Sequence, residues 1–348
     1  MLFLYDFSSD RVAETCEDCD PERLLREPFR LCGGESLETQ DKPFKTYDEL
    51  LQKLTRDKKM EIANREFAIS LLKKYSYFDL ISGYKAPFKR DNGEYKIHTC
   101  IEDVYALYKF DDNLRALLLR YILKIEKHVK SLISYAFCEN NGEEQQHYLN
   151  VTKYNYAVEN QVKINELVSR LAGIANDPKN YKYIRHQRDK HNNIPLWVMM
   201  KALTLGTVSK MYSFLPQSVQ CKVSVEFENV NESMLVQMLD LLARVRNVCA
   251  HNERLYDYRY MNGTIDDTAI HEKLAITKRK GQFVKGKKDL FAVIIVFKYL
   301  LEDKDFSEFV FELERLIDGL FHETSILQRD QMYKYMGFPR NWQEIKSL

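Results

Sequence analysis

Residues 234–259 read MLVQMLDLLARVRNVCAHNERLYDYR. Apolar side chains recur in the first half of this stretch at intervals of about three to four residues, which is the period of one buried helix face. They are Met234, Leu235, Met238, Leu239, Leu241, Leu242 and Val245. The stretch therefore predicts a helix that starts after residues 231–233 and carries Arg246, Asn247 and His251 at its polar end.

The polar end of this helix combines an arginine, an amide and a histidine. At about 100° per residue, Asn247 lies directly above His251, and Arg244 falls within roughly 20° of that histidine. Arg246 lies roughly 140° away around the helix, from where its long side chain can curl back toward the same point. A histidine moves protons near neutral pH, and an arginine neutralises a phosphate. Arg246, Asn247 and His251 are therefore the candidate catalytic residues for RNA cleavage without a metal ion.

Two other interpretations of the Arg246–His251 pair remain open. In the first, both residues only bind phosphate, and the protein binds RNA without cutting it. In the second, Arg246 pairs with an acid such as Glu253, and His251 is a satisfied residue at a dimer interface. An arginine and a histidine at similar spacing also occur by chance, as Arg185 and His191 do in a charged stretch that is predicted to be a loop.

The composition favours long helices over a β-rich fold. Of the 348 residues, 45% are hydrophobic and 12% are aromatic, which is enough apolar material for a sizeable core. Glycine (12) and proline (8) are scarce, whereas turn-rich β folds use many of both. Lysine and arginine (52) balance aspartate and glutamate (51), so nucleic acid must be bound by a local basic patch. We predict one large all-α domain over residues 43–348, preceded by an irregular N-terminal extension over residues 1–42.

The cysteines and the apolar segments predict a cytoplasmic protein without a membrane span. Seven cysteines, an odd number scattered along a long chain, suit a reducing compartment. The first apolar residues are too few for a signal peptide, and the longest apolar run, residues 290–301, is interrupted by Lys298. Cys16 and Cys19 have the spacing of a zinc knuckle with Cys32 as a third ligand, but unligated thiols are favoured because no fourth ligand is near. The sequence thus predicts neither a metal nor a cofactor.

Capping residues and apolar periodicity locate the other helices. Thr46 is predicted to cap the first helix, which has two acids in its first turn. Thr99 and Glu102 form a capping-box pattern ahead of a long helix over residues 101–137. Further helices are predicted over residues 160–174, 196–214, 217–227, 289–301 and 305–321.

Basic residues near the histidine and in two other segments are the candidate RNA-binding groups. Arg244 and Arg254 flank His251 on the helix surface. The remaining candidates are Lys278, Arg279, Lys280, Lys287 and Lys288 in a glycine-punctuated stretch, and Arg185, His186 and His191 in the charged stretch. An exposed hairpin and a solvated loop are the favoured interpretations of these two segments. Tyr84 and Trp197 are instead predicted to lie in the core.

Several blocks of the sequence, taken in order, resemble the Abi-like (AbiD/AbiF-type) abortive-infection family of the HEPN superfamily. The blocks are Tyr77–Tyr84 with Pro87-Phe88, Phe110–Arg115 with Ile125-Glu126, Ile194–Trp197 with Leu205–Ser209, and Arg246–His251 with Arg254-Leu255. They are similar to the family patterns Y-x-x-L-x-G-Y…P-F, F-D-x-x-L-R…I-E, P-x-W…G-T-x-S and R-N-x-x-A-H-x-x-R-L. The resemblance covers roughly residues 42–325. Asn252 stands where many members have a second histidine.

The resemblance implies a HEPN-type helical bundle with additional helices, which forms a homodimer and joins two Arg-x4-His motifs into one RNase site. The implied reaction needs no metal and proceeds by attack of a ribose 2′-OH, leaving a 2′,3′-cyclic phosphate. His251 would be the general acid or base, Arg246 the phosphate clamp, and Asn247 an orienting group. The implied role is that of an endoribonuclease toxin in anti-phage defence. RNA is the expected partner, both as substrate and as a small inhibitor, and neither DNA nor a membrane is expected.

Overall fold

The computed structural model describes residues 43–177, 179, 181–261 and 263–348. Their regular elements are helices, apart from one two-stranded antiparallel hairpin. The α-helices are α1 (Tyr47–Gln52), α2 (Arg65–Tyr75), α3 (Ile101–Asn141), α4 (Gln145–Tyr148), α5 (Gln161–Asn176), α6 (Lys182–His191), α7 (Leu196–Met199), α8 (Leu205–Phe214), α9 (Gln217–Ser224), α10 (Glu232–Ala250), α11 (Ala269–Lys273), α12 (Leu290–Leu300), α13 (Asp303–Glu323) and α14 (Arg329–Met336). The strands are β1 (Lys278–Arg279) and β2 (Gln282–Phe283). Short π turns (Lys53–Asp57, Phe78–Ser82) and 3-10 turns (Ala86–Phe88, Val151–Lys153, Val158–Asn160, Met200–Ala202, Trp342–Ser347) complete the elements.

The prediction of an all-α fold is confirmed. Residues Lys45–Leu348 pack as one compact unit. The predicted extension, residues 1–42, lies outside the described residues, as do Cys16, Cys19 and Cys32.

The 41-residue helix α3 is the element around which the others pack. Helices α13, α10, α9 and α7 all lie against it. Its N-terminus is capped one residue later than predicted, since Asp103 Oδ2 accepts the backbone N–H of Cys100 at 2.8 Å. Thr99 is buried instead, and its hydroxyl has no hydrogen-bond partner. The cap thus determines where α3 begins. The apolar stripe of α3 provides the surface on which the other helices pack.

Helix α12 is apolar on nearly every side. Nine of its eleven residues are buried, and it lies against α10 and α13. The side chain of Asp289 caps its N-terminus by accepting the backbone N–H groups of Ala292 and Gly286 at 3.2 and 3.0 Å. Burial raises the pKa of this carboxyl to about 6. Across the described ranges, no helix has both the length and the apolar character needed to cross a membrane.

Two segments differ from their predicted structures. The predicted helix over residues 196–214 is interrupted, because Thr204 caps a new helix, α8, by accepting the N–H of Thr207 at 3.3 Å. The charged stretch that was expected to be a loop forms α6. Its single buried residue, Ile184, anchors it, and Arg188 donates to the carbonyl of Ala175 at 3.2 Å. One buried apolar side chain and one cation bonded to the backbone thus tie α6 to its neighbours.

The glycine-punctuated basic stretch forms the hairpin that was predicted. Lys280 and Gly281 have φ angles of 50° and 77° at its turn, as a two-residue hairpin turn requires. Behind it, the buried His271 ring stacks on Phe283 at 4.8 Å and its Nε2 lies 3.0 Å from the carbonyl of Gly286. The base of the hairpin is therefore fixed to the core, whereas its turn is exposed.

Candidate active site

Helix α10 carries the candidate catalytic residues and has the apolar stripe that its sequence predicts. Asn231 caps its N-terminus by accepting the N–H of Met234 at 2.9 Å. Its buried side packs against α8, α3 and α9. The buried residues are Leu235, Met238, Leu239, Leu241, Leu242, Ala243, Val245 and Cys249. Asn247 and His251 are exposed at the other side of its C-terminal end.

The chain turns sharply after His251, which is the last residue of the helical spiral. Asn252 has a φ of 56°, in the left-handed region. The N–H of Glu253 donates to the carbonyl of Val248 at 3.0 Å, and the N–H of Asn252 lies 3.5 Å from the carbonyl of Cys249. This pair of bonds is the Schellman arrangement that commonly ends helices. It places the His251 imidazole at an exposed corner.

Substitutions at Asn252 test how much this turn contributes. We expect Asn252→Gly to leave the free energy of unfolding within a few tenths of a kcal/mol, because glycine adopts positive φ without strain. Asn252→Val is expected to lower it by about 1–2 kcal/mol, the cost of the left-handed region for a residue with a branched Cβ. Urea denaturation of the two variants measures the difference. Equal stability of both would show that residue 252 does not hold the turn.

Arg246 is the arginine of this region that is left without a partner. It is half-buried, and its Nε is buried without a hydrogen-bond acceptor. The neighbouring arginines are engaged: Arg244 pairs with Asp240 at 2.9 Å, and Arg254 with Asp257 at 2.7 Å. Among the ion pairs of the described residues, none includes Arg246, so the alternative of an intramolecular pair with Glu253 has no support. A partly desolvated guanidinium without an acceptor lowers the stability of the fold unless a ligand binds to it.

A buried polar network holds the segment that follows the turn. Asp111, whose side chain is 0% exposed, accepts the backbone N–H groups of Leu255 and Tyr256 at 3.0 and 2.6 Å. It also accepts the Tyr84 hydroxyl at 2.7 Å and Arg115 Nη1 at 2.7 Å. Burial raises the pKa of the Asp111 carboxyl, whereas these four donors oppose that shift in part. The end of α10 is thereby tied to α3.

Arg115 extends this network to the turn itself. Its Nη1 lies 3.3 Å from the carbonyl oxygen of Glu253, two residues after His251, and its Nη2 donates to Asp112 at 2.9 Å. Arg254 adds a second tie, since its Nη1 donates to the carbonyl of Gly83 at 2.7 Å. The sequence showed these residues as blocks of a motif, but not that they meet beside the histidine. Their contacts tie the backbone that follows His251 to α3 and to Gly83.

Residues 70–257 match the family model described as Abi-like protein, over more than half of the chain. The chain belongs to the Abi-like protein family. The family is associated with abortive infection, a bacterial defence against phages. The match is narrower than the predicted range of 42–325, and it contains the whole network from Tyr84 to Tyr256 together with Arg246 and His251. No curated protein and no solved structure matches the chain.

Cys249 lies within the motif of this Abi-like protein but takes no part in its exposed corner. Its side chain is buried with the apolar face of α10, and burial raises the pKa of the thiol to about 12. A thiol in that state is not a nucleophile near neutral pH. The described residues hold no group of three or more His, Cys, Asp or Glu side chains placed to bind a metal ion.

Some of the basic hairpin candidates of the Abi-like protein form ion pairs with acidic residues, whereas others do not. Lys278 pairs with Glu272 at 2.6 Å, and Lys287 pairs with Asp267. Within the part of the chain that the structure describes, the other three candidates have no acidic partner: Arg279, Lys280 and Lys288. The carbonyl of Lys288 accepts the N–H of Tyr260 at 2.6 Å, and the Tyr260 ring lies 5.6 Å from the Arg244 guanidinium of α10. The residues after the hairpin therefore adjoin α10.

The remaining candidates and the two predicted core aromatics lie on other elements. Arg185, His186 and His191 are exposed on α6, where the two imidazoles lie 5.7 Å apart. Tyr84 is buried, as predicted. The prediction for Trp197 is wrong, since 51% of this residue is exposed. The short helix α7 buries Leu196 and Met199 instead, which turns the indole outward.

Proposed function

We propose that this Abi-like protein is a metal-independent endoribonuclease toxin of the HEPN type, of the AbiD/AbiF kind. The observation that supports this best is the combination of an unpaired Arg246 and an exposed His251 at one helix end. The neighbouring Arg244 and Arg254 are paired with acids, and the buried network around Asp111 fixes the backbone beside the corner. A rigid corner that presents one free guanidinium and one imidazole suits phosphate chemistry.

The reaction requires a base, an acid and a cation. His251 removes the proton of a ribose 2′-OH, and the oxygen attacks the adjacent phosphorus. The 5′-oxygen of the next nucleotide leaves and takes up a proton, so the products are a 2′,3′-cyclic phosphate and a 5′-hydroxyl. Arg246 neutralises the charge that develops on the phosphoryl oxygens, and Asn247 orients the ribose or the imidazole.

A second copy of the chain completes this site. One chain contributes one imidazole at the corner, whereas concerted acid–base catalysis uses two proton-transfer groups. A homodimer that brings two α10 ends together supplies the second histidine and a second guanidinium. It also doubles the positive charge available to the RNA backbone.

The second candidate function is RNA binding without cleavage. The unpaired cations Arg279, Lys280 and Lys288 favour contact with a phosphate backbone whether or not the RNA is cut. A small inhibitory RNA held on this surface fits the same observation.

Cleavage of end-labelled RNA by the purified protein in EDTA distinguishes the two functions. We expect products that carry 2′,3′-cyclic phosphate and 5′-hydroxyl ends. These ends are identified by the mobility of the products, and by the failure of the products to be ligated unless polynucleotide kinase has first processed their ends. Cleavage that appears only after a divalent ion is added would contradict the metal-independent mechanism. Binding without cleavage, under the same conditions and over a range of RNA concentrations, would favour the second function.

A further inference from the structure

The half-exposed Trp197 and the partly buried Tyr183 lie between two adjoining clefts. Trp197 of α7 and Tyr183 of α6 line both clefts together with Lys201, and the clefts have volumes of about 440 and 580 Å³. The first continues to Lys182 and His186, and the second reaches α3. We call this surface, defined by Trp197, Tyr183 and Lys201, the Trp197 cleft. A half-exposed tryptophan is unusual for a side chain that dominates cores.

The charge around the Trp197 cleft is strongly positive. Its lining has four lysines, Lys127, Lys130, Lys182 and Lys201, and one acid, Glu126. That acid is already neutralised, since Lys130 Nζ lies 2.6 Å from its Oε1. In the described part of the chain, the other three lysines have no acidic partner, and Lys201 Nζ lies 5.8 Å from the centre of the Tyr183 ring.

We infer that the Trp197 cleft binds single-stranded RNA, with a base stacked on Trp197 and the flanking phosphates on the free lysines. Exposed aromatic faces within a basic groove are the combination by which proteins hold single strands, because every base has a face to stack. A protein partner is a poorer fit, because the desolvated centres of protein interfaces are depleted of lysine. That the strand is RNA and not DNA rests on the proposed function.

The arrangement of the cleft gives the strand a path. One cleft lies on the α6 side of Trp197 and the other on the α3 side, so the indole separates two positions for neighbouring bases. Lys182 lines the first cleft, Lys127 lines the second, and Lys201 lines both. A strand that crosses the indole thus meets one stacking surface at Trp197 and a lysine in each cleft.

Tryptophan fluorescence tests this inference directly. The chain has two tryptophans, of which Trp342 is 0% exposed and Trp197 is 51% exposed. A short 2′-O-methyl oligonucleotide, which cannot be cut by 2′-OH attack, is titrated into the full chain. We expect the bound oligonucleotide to quench the fluorescence of Trp197 and to protect this tryptophan from further quenching by iodide. In Trp197→Phe, the remaining signal is expected not to respond. An unchanged signal in the wild type at saturating oligonucleotide would overturn the inference.

Affinity measured by anisotropy of the labelled oligonucleotide gives the second readout. Trp197→Ala is expected to weaken binding about 5- to 150-fold, which corresponds to the loss of one stacked base. Trp197→Phe should retain most of the affinity. Phe311→Ala removes a comparably exposed ring from α13 and should have no effect. Wild-type affinity of Trp197→Ala, or a change only in its sedimentation as an oligomer, would overturn the inference and assign the surface to a protein contact. Binding through Trp197 by a chain that cuts no RNA would leave the inference intact and contradict the proposed catalysis.

Discussion

Replacing His251 with alanine is expected to slow RNA cleavage by about 10²–10⁴-fold, which is the usual contribution of general acid–base catalysis. RNA binding should be unchanged, because an exposed imidazole adds little to backbone affinity when Arg246 and the free lysines remain. The rate is measured under single-turnover conditions in EDTA, and affinity is measured with the 2′-O-methyl oligonucleotide. Separate measurements keep a loss of chemistry apart from a loss of binding.

His322 provides the matched control for this substitution. It is also exposed and also lies in the last turn of a long helix, α13, but it has no arginine of the motif beside it. His322→Ala is expected to cut RNA at the wild-type rate. If His251→Ala retained that rate as well, the imidazole would have no part in the reaction, and Arg246 would be left as a phosphate-binding group.

The local signals of α10 were sufficient to predict it. The cap at Asn231 and the apolar stripe depend only on residues that are close together in the sequence. They therefore favour a helix whatever the rest of the fold. The same is true of the hairpin turn at Lys280–Gly281. The cap of α3 was misplaced by one residue, because Thr99 and Cys100 both have an acid three residues later and only tertiary packing buried the threonine.

The exposure of Trp197 could not be predicted, because it depends on which face of a four-residue helix meets the core. The indole and the neighbouring Leu196 are both apolar, and the sequence does not say which is buried. The helix α6 was missed for a related reason: its only buried residue is Ile184, so it has no period to detect. Tertiary contacts decide both cases.

The absence of an ion-pair partner for Arg246 could be predicted from the sequence only in part. The spacings Asp240–Arg244 and Arg254–Asp257 are those of helix and turn ion pairs and were visible in the sequence. The sequence nevertheless places Arg244 and Arg254 among the RNA-binding candidates, and it is the structure that pairs them with Asp240 and Asp257. What the sequence did not contain is the desolvation of Arg246 Nε, which the packed end of α10 produces.

Removing the carboxylate of Asp111 is expected to have the largest effect on stability of any single substitution near the site. Asp111→Ala leaves the buried Arg115 without its main counter-charge and leaves two backbone N–H groups without acceptors. Breaking a buried ion pair on one side costs about 3–5 kcal/mol. Urea denaturation of the wild type and the variant gives the difference in the free energy of unfolding.

Asp112→Asn is the control for this prediction, since Asp112 pairs with the same guanidinium at 2.9 Å but is 59% exposed. Its loss is expected to cost less than about 1 kcal/mol, as for other exposed ion pairs. Similar costs for the two variants would show that the Asp111 network does not stabilise the fold. The rate of RNA cleavage per folded molecule of Asp111→Ala, measured well below the melting temperature of that variant, then separates an effect on folding from an effect on positioning. If the folded variant cuts RNA at the wild-type rate, the network only holds the chain together. If the rate falls while oligonucleotide binding persists, the network also holds His251 in its reactive position, because it fixes the backbone from Glu253 to Tyr256.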